Sequence, residues 1–140
     1  MNKLFSGIAI CLVVLTGCNG KQKEYTNVFN DPLLYAKTVK DLNNVVMENN
    51  FPPIIASRNY VYACIAGFEV MALGDNRFQS LSGQIKHLPP LPAQDTNNVN
   101  FQYAAMLAFC KLGEAVTFPE GSMEDYVVGL DSMADASGMT

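Results

Sequence analysis

The sequence has no tryptophan and a single histidine, His87. Chemistry that relies on a pair of imidazoles, as acid and base or as metal ligands, is therefore excluded. Charge is also scarce: Asp, Glu, Lys and Arg make up 16% of residues, against about 25% in an average soluble domain. The few lysines and arginines do not cluster and the net charge is −4, so the basic footprint of nucleic-acid binding is missing. No Cys-x-x-Cys spacing occurs, which removes the common zinc and redox frameworks. No segment repeats at a period of about 20–50 residues, which argues against a solenoid.

What the chain does have is apolar side chain, 49% of 140 residues, enough for one domain with a core. The N-terminus accounts for part of it. Met1-Asn2-Lys3 is a short positive segment, and Leu4 to Leu15 is an apolar run shorter than the roughly 20 residues needed to span a bilayer. The run ends in Leu15-Thr16-Gly17-Cys18, an aliphatic residue and two small ones before a cysteine. This resembles a bacterial lipobox, which makes residues 1–17 a lipoprotein signal peptide and Cys18 the lipid-attachment residue. The location it implies is the bacterial cell envelope, with the chain held to a membrane by its lipid anchor. Residues 18–30 are polar at their start and read as a tether.

The stretch from Ser57 to Gly74, SRNYVYACIAGFEVMALG, dominates the remainder. Between Tyr60 and Leu73 the only charge is Glu69. A helix apolar all round is enclosed by others, so this stretch is expected at the centre of an all-α bundle spanning residues 31–140. Five helices are expected after the signal peptide: 32–48, with Asp31 as cap and Pro32 in the first position; the central helix, capped by Ser57 after the rigid Phe51-Pro52-Pro53 link; a short helix over 77–88, with Phe78, Leu81, Ile85 and Leu88 on one face; 99–117; and 122–136, acidic in its first turn. Gly67, with Ala63 and Ala66 nearby, predicts close helix approach. Ser137-Gly138-Met139-Thr140 reads as a glycine stop followed by a threonine suited to cap a further helix, and the expectation from it is a larger bundle of which this chain supplies the N-terminal part.

Two strings resemble a known family. Residues 51–62, FPPIIASRNYVY, followed by Ile65-Ala66-Gly67-Phe68-Glu69, and then Phe78-Gln79-Ser80-Leu81-Ser82-Gly83-Gln84, are similar to the N-terminal helical region of bacterial vanadium-dependent haloperoxidase-like lipoproteins. These belong to the type 2 phosphatidic acid phosphatase superfamily. Phe51 and Phe68 depart from the serine and tyrosine usual there. The resemblance implies an α-helical bundle in which vanadate or phosphate is held by basic side chains with a histidine on its axis. Its three motifs are Lys-x6-Arg-Pro, Pro-Ser-Gly-His and Ser-Arg-x5-His-x3-Asp, and none is present. Ser57-Arg58 begins the last, but Cys64 and Phe68 stand where its histidine and aspartate belong. No catalytic, cofactor or metal residue is carried over, and vanadate or phosphate is expected only in a complete family member.

The leading expectation is thus the N-terminal helical portion of an envelope-anchored haloperoxidase or acid-phosphatase-like protein, inactive alone, whose partner is a missing C-terminal helical half. The alternative is a small non-enzymatic helical lipoprotein, acting as a binding or scaffold module. Individual side chains read the same way. His87 has no visible orienting partner and is expected on the surface at a helix end. Arg58 is expected in an ion pair or cap contact, Glu69 hydrogen-bonded to a neighbouring helix or an arginine, and Tyr60 and Tyr62 in the core with tethered hydroxyls. Cys64 and Cys110 are expected as small buried hydrophobes, with a disulfide as the alternative.

Overall fold

A computed structural model describes residues 27–139. The expected signal peptide, the expected lipid-attachment residue Cys18 and the expected tether as far as Thr26 lie outside the described residues. After a 3₁₀ turn at Val28–Asn30 come four helices: α1, Pro32–Glu48; α2, Pro53–Gly74; α3, Phe101–Ala115; and α4, Glu124–Ser137. The expected all-α bundle is what forms, with four helices among the described residues rather than five.

Each boundary has a local cause. The Asp31 carboxylate accepts from the Leu33 N–H and Pro32 opens α1, as expected. The central helix starts earlier than Ser57 suggested. Pro53 occupies its first turn, where the N–H it lacks has no helical partner anyway. Ser57 is no cap: its hydroxyl donates back to the Ile54 carbonyl at 2.9 Å. Asn100 caps α3 through the Tyr103 N–H at 3.0 Å. Gly138 ends α4 in the left-handed region at φ 86°, which suits a residue without Cβ.

The helix expected over 77–88 does not form; this stretch is a series of turns. Its apolar spacing was helical, but local side chains compete for the backbone. Asp75 accepts from both the backbone and the guanidinium of Arg77. Glu69 captures Ser80 and Leu81. Gly83 and His87 have φ of +76° and +68°, which no right-handed helix contains. A free-standing segment this short is a marginal helix at best.

The core lies along the antiparallel pair α2 and α3. Asn59 near the start of α2 donates to the Val116 carbonyl at the end of α3, at 2.9 Å. Midway, a Cβ added to Gly67 would lie 3.2 Å from the Ala105 carbonyl oxygen and 3.6 Å from Phe109 Cβ. The close approach expected from Gly67 is therefore present. At the far end, Gly74 closes on Phe101 so tightly that an added Cβ would collide with the ring. Helix α1 packs beside α2 on α3, Leu42 against Gly113, while Thr38 on α1 shares a 2.9 Å hydrogen bond with the Tyr126 hydroxyl of α4. Phe29 of the 3₁₀ turn is buried against Tyr103, ring centres 4.8 Å apart.

One expectation about α2 is overturned. It is not enclosed all round. The stripe Asn59, Ala63, Gly67 is buried on α3, but on the opposite side Ile54 is 77% and Val61 53% exposed. The apolar composition was real; the enclosure inferred from it is not provided by the described residues.

Alkaline pH tests this packing. Burial, with the Asp41 and Glu114 charges, pushes the Cys110 thiol from an ordinary 9.0 up to about 12. Burial and the hydrogen bond to Asp131 push the Tyr103 hydroxyl from 10.0 up to about 12. Both groups hold their protons longer folded than unfolded, so their contribution is complete below about pH 9 and is lost as pH rises toward 12. The urea midpoint is expected to fall across that interval, and iodoacetamide at pH 8 is expected to alkylate exposed Cys64 about 100-fold faster than Cys110.

Candidate functional site

The polar centre of the molecule is Glu69. Two turns beyond Tyr62 on α2, its carboxylate is 5% exposed. One oxygen accepts from the Ser80 hydroxyl and the other from the Leu81 N–H, each at 2.6 Å. The Ser80 hydroxyl accepts in turn from the Ser82 N–H at 3.0 Å, and the Gln84 amide donates to the Ser80 carbonyl at 2.7 Å. The Phe68 and Phe78 rings meet edge to face at 6.0 Å beside this cluster. The carboxylate thus fastens the segment after α2 onto the helix. With both oxygens engaged by fixed donors it is built as an anchor rather than as a base awaiting a substrate proton.

Around the corner of α2 lies an apolar cavity of about 330 Å³, bounded by the 3₁₀ turn, α1, α2, α3 and Phe78. Phe29, Tyr35, Phe68 and Phe78 give it aromatic walls, and Cys64, Met71 and Met106 give it sulfur. Its polar lining is Asn30, Asp31 and Gln102. A second, more polar hollow lined by Asn27, Asp75, Asn98 and Asn100 shares Met71 and Gln102 with it.

The other sequence candidates are scattered. Arg58 is exposed and, among the described residues, takes part in neither of the ion pairs, which are Arg77–Asp75 and Lys111–Glu114. That corrects the expected pairing. The Arg77 guanidinium holds the Asp75 carboxyl down at about 2. His87 is on the surface as expected, in a turn instead of at a helix end. Tyr60 tethers its hydroxyl to Asn43 at 2.7 Å, whereas Tyr62 is exposed and not a core residue. Glu69 reaches the following loop, not the neighbouring helix or arginine expected of it. Cys64 and Cys110 are both free thiols; Cys110 is buried as expected, but Cys64 is exposed. Among the described residues no group of three His, Cys, Asp or Glu could hold a metal ion, and no helix is long and apolar enough to cross a membrane.

Sequence reasoning missed Asn59 as the tie between α2 and α3. The signal was there: a polar residue in register with Ala63 and Gly67 on an otherwise apolar helix needs a buried partner. It also missed the cavity, whose walls come from four separate segments. The chain matches no protein family, no curated protein and no solved structure.

Proposed function

We propose that this chain is the N-terminal helical scaffold of an envelope-anchored protein of the vanadium haloperoxidase and type 2 phosphatidic acid phosphatase kind, and that it performs no phosphate or halide chemistry by itself. The observation that carries the proposal is the Glu69 anchor. It joins the two strings on which the resemblance rests, the first ending at Glu69 and the second containing Ser80 and Leu81. The bonds hold the two strings together as one local unit, and that supports reading them jointly. Attachment through Cys18 would keep the assembly at a membrane surface.

Two measurements test this reading. The purified chain, supplied with vanadate, peroxide and bromide or with a phosphomonoester, is expected to turn over neither. The reading frame downstream of codon 140 is expected to run on into Pro-Ser-Gly-His. Turnover by the chain would overturn the statement that it is inactive by itself; a frame lacking that motif would replace this proposal with the second reading, a non-enzymatic helical binding module, for which the apolar cavity is the favouring observation.

A further inference from the structure

We infer that the cavity beside Cys64 binds a small, uncharged, flat aromatic molecule bearing one hydrogen-bond donor. The inference does not depend on the scaffold proposal. Size comes first. Ligand sites begin near 300 Å³; this half-open hollow, at about 330 Å³, has room for two fused rings. Shape comes from the walls. Phe68 and Phe78 already stand edge to face, and Tyr35 stands edge to face on Phe109, both at 6.0 Å between centres, so flat ring faces and edges line the space. Methionine sulfur adds favourable contact with a ring edge.

Charge decides the ligand's chemistry. Among the described residues no lysine, arginine or histidine lines the cavity, so from these residues an anion entering it would gain no counter-charge for its lost hydration. Among the described residues the one charged side chain in the lining is Asp31, whose Oδ1 accepts from the Leu33 N–H. Polar recognition falls to the amide side chains of Asn30 and Gln102. The carbonyl oxygen of either amide would accept from a ligand hydroxyl or ring N–H, and its N–H could donate to a hydroxyl oxygen.

The probe is 2-naphthol, titrated into the purified full chain by calorimetry. One saturable site with Kd about 0.1–1 mM is expected, as suits a ligand of this size. The anion 2-naphthoate should bind at least tenfold more weakly. Cys64→Phe, which fills the cavity from α2, should weaken 2-naphthol at least tenfold; Met71→Trp does the same job should Cys64→Phe lack a native circular-dichroism spectrum. Ile54→Lys, about 15 Å away along the same helix, should leave binding unchanged. No saturable binding, equal binding of naphthoate, or binding abolished by Ile54→Lys but not by the filling variants would overturn the inference, the last outcome meaning adsorption to the outer side of α2.

Discussion

Phe109→Ala is expected to cost about 3–5 kcal/mol, a large part of the ~5–15 kcal/mol that holds a native domain together. Phe109 is fully buried and among the largest side chains in the core. It lies against α2 at Gly67, where the missing Cβ lets the helices close, and its ring meets Tyr35 of α1. Truncation removes contacts to two helices at once. Gly67 has no side chain with which to fill the hole, so relaxation is limited to backbone movement, and that is the condition under which cavity terms are largest. Urea unfolding at neutral pH is the measurement, with the midpoint shifted and the slope unchanged. A loss below about 1 kcal/mol, the size of a surface change, would show that the seam between α2 and α3 is not the centre of stability.

The second large effect is local. Glu69→Ala deletes both acceptors of the Ser80 hydroxyl and the Leu81 N–H. Each donor left unsatisfied costs about 1–3 kcal/mol, and the segment can escape that cost by lifting into water. Its opening free energy should therefore drop more than that of the helices. Trypsin cleavage after Arg77 and Lys86, both exposed, reads this directly and should accelerate about 10–100-fold, the equivalent of roughly 1.4–2.8 kcal/mol. Glu69→Gln keeps one carbonyl oxygen but turns an amide toward the other donor, so it should fall between the two. Cleavage at the wild-type rate in Glu69→Ala would mean that the anchor does not hold the loop.

Glu69 also marks the limit of what could be read from the sequence. The helices were legible because their determinants are local. Asp31-Pro32 sets the start of α1, and Gly138 sets the end of α4. Gly67 was legible as a contact point because small residues surround it. The stretch 77–88 was not, because its apolar spacing fits a helix and the residue that diverts it, Glu69, sits on another element. The Arg77 and Ser80 hydrogen bonds that divert the backbone are likewise invisible to periodicity. The central helix failed in a different way: composition reports that both sides are apolar, and says nothing of whether a neighbour exists to cover them. For the site, Glu69 was singled out as a lone buried carboxylate, yet its partners were not deducible, since a donor from any loop would serve. The cavity left no trace in the pattern because each wall residue looks like ordinary core.

The contact between Gly74 and Phe101 has one further consequence. Gly74 is the last residue of α2 and Phe101 the first of α3, so the connection between the helices begins and ends at the same point in space. A loop whose two ends are stapled in this way can lengthen cheaply, each doubling adding only about 0.6 kcal/mol of closure entropy. The exposed, proline-rich stretch around 89–97 is therefore where insertions between related chains should accumulate, while position 74 stays closed to any side chain as long as 101 keeps its ring.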